Sequence, residues 1–487
     1  MKKIILLIFV LVGIISSCTK GYEDLNKDPL KTNKVPTTSI LTGVLQSMIN
    51  INSGLGYNKT FMLYSQQWSQ RETTTRSLYV MDDTSSDWSN FYLNGLPELQ
   101  EIIRLNSGED KSDYDKYGKN ENQIAVSKIL KVWYFSNITD TWGNIPYTEA
   151  LDNNISFPKY DKQEVIYPLL IQELKDAANM IDENASGFVS GDLMYGGNMN
   201  KWKKFANSLR ARIAMRMSEV NPSLAQNEVA DALSSDVFTS NADNASVNFQ
   251  NEEANANPLY LEFLTQQWTF VSKPLIDLMN SYGNGTASVP SDPRIPHYAD
   301  PNQNGEYIGF PYGLTTSESL NYNIEDFSLP AVEVRAMDFA SQIMTFSELL
   351  FIKAEAEQRG WYGNSADAAN TYYQAITASM EQWGISSTDI NTYLALADVQ
   401  YNTTNWRKLI GEQKYIALYT QGANAWNEWK RLDYPVLQFP VAATAVSEIP
   451  RRLKYPLSEL SLNADNLAEA ISDLGSDTMT TRYWWDQ

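Results

Sequence analysis

The chain has 487 residues and carries 58 acidic against 38 basic side chains, a net charge of −20 at neutral pH. Such a surface repels polyanions on average, so no nucleic-acid partner is expected. The single cysteine excludes an intramolecular disulfide and multi-cysteine zinc sites, and the single histidine leaves few proton shuttles. No metal and no cofactor is predicted.

The N-terminus has the pattern of a lipoprotein address. Lys2 and Lys3 precede an apolar run over residues 4–15, which is too short to span a bilayer permanently. Small residues then lead to Cys18, as in a bacterial lipobox whose cysteine is acylated, for example with palmitate, after cleavage. We predict a signal peptide over 1–17, a lipid-anchored tether over 18–38 and a single domain over 39–487. An ordinary signal peptide cut nearby is the alternative.

Apolar residues recur at helical spacing in several segments after the tether. The predicted helices cover residues 39–48, 61–70, 88–105, 124–138, 165–181 and 200–217. Residues 71–87 have no helical period and are predicted to form a loop. The region 241–329 is dense in Asn, Gly, Pro and Tyr, which predicts a mostly irregular segment. A loop region of that length inside a compact chain is either functional or disordered.

Residues 344–380 contain two amphipathic helices separated by Gly360 and Gly363. Their apolar stripes are Leu349, Leu350, Ile352, Ala354 and Ala356, then Ala368, Tyr372, Ala375, Ile376 and Met380. Small alanines beside large aromatic rings let two antiparallel helices approach closely. The pattern is typical of an ordinary helical hairpin and also of a degenerate tetratricopeptide-like pair, which needs stacked neighbours to bury its stripes.

Further segments carry a family resemblance over nearly the whole mature chain. They are TDTWGNIPYTEAL (139–151), MNKWKKFANSLRARIAMRMS (199–218), DPRIPHYADPNQNGEYIGFPYG (292–313), TFSELLFIKAEAEQRGW (345–361), IALYTQGANAWNEWKRLDYP (416–435), IPRRLKYPLSELSLN (449–463) and DTMTTRYWWD (477–486). In this order, after a lipobox, they resemble the SusD/RagB family of nutrient-binding outer-membrane lipoproteins of Bacteroidota. The final motif is similar to the SusD-like branch, whose members end in a T-R-x-W-W-D type sequence.

The resemblance implies a fold and a role. The expected fold is mainly α, with a tetratricopeptide-like helical-pair scaffold that carries a loop-rich irregular half. The expected role is capture of oligosaccharides, or in some members peptides, at the cell surface. The ligand would then pass to a SusC-type TonB-dependent outer-membrane transporter. Family members are not enzymes.

Aromatic residues in loops or at helix ends are the candidates for contact with sugar rings. Pyranose rings pack their C–H faces on Trp and Tyr, while amide groups bond the hydroxyls. The candidate ligand-binding residues are Trp68, Tyr79, Trp88, Asn90, Trp268 and Tyr312, with Tyr307 also in the irregular half. Trp68 and Trp88 flank the 71–87 loop, which could form one wall of a site. For each aromatic residue, core packing is the alternative role.

Other residues are assigned to the scaffold because they lie in periodic helices or family-wide motifs. The predicted core aromatics are Trp133, Trp142, Trp202, Tyr372, Trp426 and Trp429. Arg451 and Arg452 are expected to bond helix carboxyl ends or carboxylates. Trp484 and Trp485 are expected to form a C-terminal packing plug.

Three other functions are open at this level. A catalytic triad would need His297, which lies in a Pro-rich loop, and is not favoured. A glycoside hydrolase would need two facing carboxylates, but Glu348, Glu355 and Glu357 fit a solvated helical face better. In a scaffold that binds only proteins, the Tyr-rich 282–322 region would be packed against the core or a partner and would form no open aromatic groove. The sequence does not identify the glycan, although its charge disfavours sulfated or uronic polymers.

Overall fold

The computed structural model describes residues 35–487. The predicted signal peptide, the acylation site at Cys18 and residues 18–34 of the predicted tether lie outside the described residues. The described part of the chain is mainly α-helical with short strands, in agreement with the predicted fold class. Its first helix begins at Thr37, close to the predicted start of the domain at residue 39.

The first half of the described chain is built almost entirely from helices. They are α1 Thr37–Asn52, α2 Tyr57–Tyr64, α3 Ser85–Leu93, α4 Leu96–Ser107, α5 Asn120–Trp142, α6 Gln163–Met180, α7 Met199–Arg216 and α8 Pro222–Leu233. The predicted helices 124–138, 165–181 and 200–217 therefore correspond to α5, α6 and α7.

The second half mixes short and long helices with loops. The helices are α9 Pro258–Thr265, α10 Lys273–Ser281, α11 Ile295–Tyr298, α12 Thr316–Ser319, α13 Phe346–Gln358, α14 Ala368–Gln382, α15 Ser387–Leu394, α16 Trp406–Ala417, α17 Gly422–Leu432, α18 Glu459–Leu462 and α19 Ala464–Leu474. The 241–329 region is therefore less irregular than predicted. Asn257 and Ser272 start α9 and α10 by accepting backbone N–H groups, a short-range signal that the Asn- and Pro-rich composition obscured.

The strands form three antiparallel pairs of short elements. β1 Trp68–Gln70 pairs with β5 Thr269–Val271, β2 Ile145–Pro146 with β3 Tyr160–Asp161, and β4 Ala245–Val247 with β6 Ser341–Met344. β1–β5 joins the N-terminal region to the loop-rich half, because Trp68 lies opposite Val271.

Helices that follow one another along the chain pack as pairs. The pairs are α5–α6, α7–α8, α13–α14 and α16–α17. Neighbouring pairs are also in contact, since α6 packs against α7 and α13 packs against α16. The two stripes predicted within 344–380 are buried. A stack in which each pair covers the stripe of its neighbour is the tetratricopeptide-like arrangement, so this interpretation is favoured over an isolated hairpin.

Two predicted helices are interrupted in the structure. In 61–70 the helix ends at Tyr64, Gln66 adopts a left-handed φ of 59°, and β1 follows. In 88–105 the chain breaks at Gly95, whose φ is 128°. A Cβ atom at Gly95 would lie 2.4 Å from the ring and hydroxyl of Tyr134, so both the backbone and the space require glycine.

The predicted solvated face of α13 is wrong. Glu348, Glu355 and Glu357 are only 1%, 0% and 3% exposed. Glu348 pairs with Arg212 at 2.6 Å, and Glu355 pairs with Arg431 at 2.6 Å. The carboxylates lie inside because α13 is packed against α7, α14 and α16, and buried charges of this kind persist only when they are paired.

The predictions for the scaffold aromatics and the C-terminal tail are confirmed. Trp133, Trp142, Trp202, Tyr372, Trp426 and Trp429 are all buried. Arg452 donates to the carbonyl of Trp142 at 2.9 Å, and Arg451 binds Asp486 at 2.6 Å. Trp485 is 1% exposed and its ring lies 4.8 Å from the Nζ atom of the buried Lys430, so the tail plugs the scaffold.

Candidate functional site

An open groove lies in the loop-rich half, between α10, α16 and the loops around residues 307–312 and 435–441. It consists of two adjoining cavities of about 650 and about 570 Å³, which share Lys273, Asp277, Ser281 and Pro311. We call it the tyrosine groove. Its Tyr312 end is further lined by Gln66, Tyr312, Glu412, Tyr415 and residues 435–441, and its Tyr322 end by Asn280, Tyr307, Tyr322 and Phe327. Each cavity is within the size range of small-ligand sites.

The Tyr322 end offers partly exposed aromatic rings. Tyr322 is 39% exposed and packs edge-on against Phe310 and Phe327, with centroid distances of 5.9 and 5.7 Å. The loop that carries Tyr307 is fixed by a backbone hydrogen bond from its N–H to Ala287 at 2.8 Å. Because these contacts leave part of the Tyr322 side chain exposed, its ring can pack against the apolar face of a sugar.

The Tyr312 end is supported from behind by the 71–79 loop. Tyr312 donates its hydroxyl to the carbonyl of Leu63 at 2.6 Å. The buried Tyr79 lies against it and against Phe439, with centroid distances of 6.5 and 6.0 Å. Burial raises the pKa of Tyr312 well above its ordinary value, so this hydroxyl stays neutral.

Two polar side chains line the Tyr312 end with hydrogen-bond acceptors. Gln66 is fully buried and donates to the Tyr79 hydroxyl at 3.0 Å and to the Gln438 carbonyl at 2.8 Å, while its Oε1 has no partner among the described residues. Glu412 is 7% exposed, and its Oε2 accepts from the Tyr282 hydroxyl at 2.7 Å. Burial raises the pKa of Glu412. Gln66 Oε1 is enclosed by the protein, so Glu412 is the acceptor of this pair that suits a ligand with O–H or N–H donors.

The structure does not bring all of the predicted ligand-binding residues together. Tyr312 and Tyr307 line the tyrosine groove, and their contact with a ligand stays a prediction. Trp68 is 4% exposed, because β1–β5 pairing turns it inward, where its Nε1 donates to Tyr419 at 3.2 Å. Tyr79 is completely buried. Neither ring offers a ligand a free face here, so both are corrected to supporting roles.

The remaining three predicted residues also lie outside the groove. Trp88 is 6% exposed and packs against Trp142, with a centroid distance of 5.1 Å, because α3 lies over α5. It too is corrected to the core. Asn90 accepts a hydrogen bond at 3.2 Å from Asn94, the residue that follows the last residue of α3. Trp268 is half-buried, and its carbonyl accepts from the Arg71 N–H at 3.1 Å.

Two other concavities are larger than either half of the groove. One, of about 1050 Å³, lies on the scaffold against α3 to α6, and another, of about 820 Å³, is lined by residues 79–83, 444–447 and 477–480. The tyrosine hydroxyls of the first have internal partners, as does that of Tyr312: Tyr92 donates to the carbonyl of Pro146 and Tyr147 to Glu173. We favour the tyrosine groove because it combines partly exposed rings with an unused acceptor, Glu412 Oε1.

Within residues 35–487, no group of three or more His, Cys, Asp or Glu side chains is placed to hold a metal ion. His297 lies 2.8 Å from Glu333 on the surface. Over the same residues, no helix combines the length and the apolar character required to cross a bilayer.

The sequence matches a known family model. The model for SusD-like_2, described as starch-binding and associating with the outer membrane, matches residues 29–456. The chain belongs to the SusD-like family. No curated protein sequence matches it significantly.

Solved structures of SusD-like proteins share the fold. A chitin-binding protein is 28% identical with a TM-score of 0.79, covering 93% of this chain and 100% of its own. A chitin-binding SusD homolog from Flavobacterium johnsoniae is 26% identical with a TM-score of 0.77, covering 92% of this chain and 98% of its own. A SusD homolog from Parabacteroides distasonis is 24% identical with a TM-score of 0.79, covering 93% of this chain and 98% of its own.

The sequence predicts only a small part of the groove. Tyr322 lies inside the Tyr-rich 282–322 region, so the density of tyrosine in a loop is a usable signal. Phe439, Gln66 and Glu412 had no such signal. They reach the groove only because three distant segments meet there.

Proposed function

We propose that this SusD-like protein binds oligosaccharides non-covalently in the tyrosine groove, without catalysing their cleavage. The observation that carries the proposal is the combination, on a SusD-like scaffold, of partly exposed rings at the Tyr322 end with an unused acceptor, Glu412 Oε1, at the Tyr312 end. Sugar faces would pack on Tyr322 and Tyr307, and sugar hydroxyls would donate to Glu412. Two similar structures are named as chitin-binding, so β-1,4-linked N-acetylglucosamine polymers head the list of ligands to test.

The proposal is tested by affinity electrophoresis of residues 19–487 in gels that contain neutral, acidic or sulfated polysaccharides. A peptide digest, tested by calorimetry, completes the panel. We expect at least one neutral or amino-sugar polymer to retard the protein. Tyr322→Ala should weaken binding about tenfold, because covering about 50 Å² of apolar surface contributes about 1.3 kcal/mol.

Phe157→Ala is the matched control. Phe157 is 66% exposed and lies outside both halves of the groove, so its replacement should leave retardation unchanged. Equal effects of the two variants would contradict the groove assignment. Binding of peptides alone would favour a peptide-importing member of the family, and release of sugar products from the bound polymer would indicate a hydrolase.

We also propose that Cys18 is acylated, that the protein is anchored at the cell surface, and that it delivers its ligand to a SusC-type TonB-dependent transporter. The lipobox supports the anchor, and the outer-membrane association in the family description supports the location. In the native host, the wild type should fractionate with outer membranes, incorporate labelled palmitate and co-purify with a barrel transporter. Cys18→Ala should lose the label and the membrane association, and unchanged fractionation of this variant would refute the anchor.

A further inference from the structure

One buried carboxylate in the tyrosine groove has no cationic partner among residues 35–487. Glu412 is 7% exposed, and its Oε2 accepts a hydrogen bond from Tyr282. Its Oε1 makes no hydrogen bond or ion pair with any residue in 35–487. This oxygen is not among the enclosed polar atoms of the described residues, so a ligand donor in the groove can reach it.

The charges around Glu412 do not neutralise it directly. On α10, which faces it across the groove, Lys273 is engaged with Asp277 at 2.6 Å, and both side chains are more than half exposed. On α16, the exposed Lys408 lies one helical turn away and forms no ion pair with Glu412. Burial raises the pKa of Glu412, while the Tyr282 hydrogen bond and the Lys408 charge act in the opposite direction. When Glu412 is ionised, no ion pair with a residue in 35–487 offsets its negative charge in the groove.

We propose that the tyrosine groove selects glycans that carry a free amine, with Glu412 Oε1 accepting a hydrogen bond from the ammonium group of an amino sugar. This inference rests on the proposed glycan-binding function and specifies its ligand class. An ammonium group supplies both the donor and the positive charge that Glu412 lacks, and charge-assisted hydrogen bonds are about twice as strong as neutral ones. A hydroxyl supplies only a donor, and a sulfate or uronate would place a second negative charge beside Glu412.

Three hexasaccharides with the same β-1,4-linked backbone isolate this interaction. They are the hexamers of glucosamine, N-acetylglucosamine and glucose, which differ only in an ammonium, an acetamide or a hydroxyl group at C2. Calorimetric titration of residues 19–487 should show that the glucosamine hexamer binds about tenfold or more tightly than the glucose hexamer. Equal affinities, or weaker binding of glucosamine, would overturn the inference on the wild-type protein alone.

Glu412→Gln tests the residue assignment. The amide can still accept from Tyr282 but carries no charge. The substitution should weaken the binding of the glucosamine hexamer about tenfold and leave the binding of the glucose hexamer unchanged. Thermal unfolding of the variant checks that the fold is intact. A preference for glucosamine that survives in Glu412→Gln would overturn the assignment.

The net charge of −20 could attract any cationic oligomer without a specific site. Glu381→Gln controls for this, because Glu381 is exposed on α14 and outside the groove. Non-specific attraction predicts the same loss in both glutamine variants, which would contradict the proposal. Binding of the neutral hexamers without a preference for the amine would overturn this inference but leave the proposed function standing. Failure of every glycan to bind would overturn both.

Discussion

Arg431 holds together the charges at the centre of the scaffold. It bonds Glu355 and Glu428 at 2.6 and 2.7 Å, and all three side chains are almost completely buried. Burial alone would raise the pKa of Glu355, but the charges of Arg431 and Arg359 outweigh it and lower the pKa to about 2. The Arg431–Glu355 ion pair therefore joins α13 to α17, and its strength depends on pH.

Glu355 should make the stability of the fold sensitive to acid. Because its folded pKa is depressed, its contribution, about 3 kcal/mol, is fully present above the unfolded value near 4.3 and is lost as pH falls toward 2. Glu355→Gln should cost about 3–5 kcal/mol at pH 6 and clearly less at pH 3, measured by urea unfolding. Glu101→Gln, in an exposed pair with Arg104, should cost almost nothing at either pH. A cost for Glu355→Gln that does not change with pH would contradict the assignment.

The break between α3 and α4 illustrates how one residue shapes an element. Gly95 turns the chain with a φ of 128° and sits against Tyr134 on α5. A continuous helix over 88–105 would carry the chain away from this contact. The turn instead lets α3 lie over α5 and bury Trp88, which explains why an aromatic residue next to a loop is part of the core.

Two glycine-to-alanine changes should have opposite effects on stability. Gly95→Ala should lower the free energy of unfolding by at least about 1–3 kcal/mol. The positive φ is strained for alanine, and the new Cβ would collide with Tyr134. Gly43→Ala lies on the exposed side of α1 with no atom within 4 Å of the new Cβ, and it should stabilise by up to about 1 kcal/mol. Urea unfolding of both variants measures the difference. Equal effects would show that the break at Gly95 is not required.

At the scale of the whole molecule, the sequence predicts the scaffold much better than the groove. Helical periodicity is local, so the paired stripes within 344–380 could be recognised from neighbouring residues. The burial of Trp68 depends on Tyr419, which is 351 positions away, and no local pattern contains that contact. The prediction that Glu348 and Glu355 are solvated is wrong because a single sequence does not show which arginines face these side chains.

The same limit applies to the proposed ligand site. Its walls come from α10, α16 and two loops that meet only in the folded chain. Tyrosine density indicates the region of the proposed groove, where Tyr307 and Tyr312 lie, but it does not indicate Glu412. A residue that belongs to no periodic or repeated pattern cannot be recognised as functional from one sequence.

A crystal structure of residues 19–487 with the tightest-binding hexasaccharide tests the glycan-binding groove most directly. We predict sugar rings packed on Tyr322 and Tyr307, with a ligand donor within hydrogen-bond distance of Glu412 Oε1. Ligand bound in the concavity on α3 to α6, or in the one beside residues 79–83, would contradict the assignment of the groove.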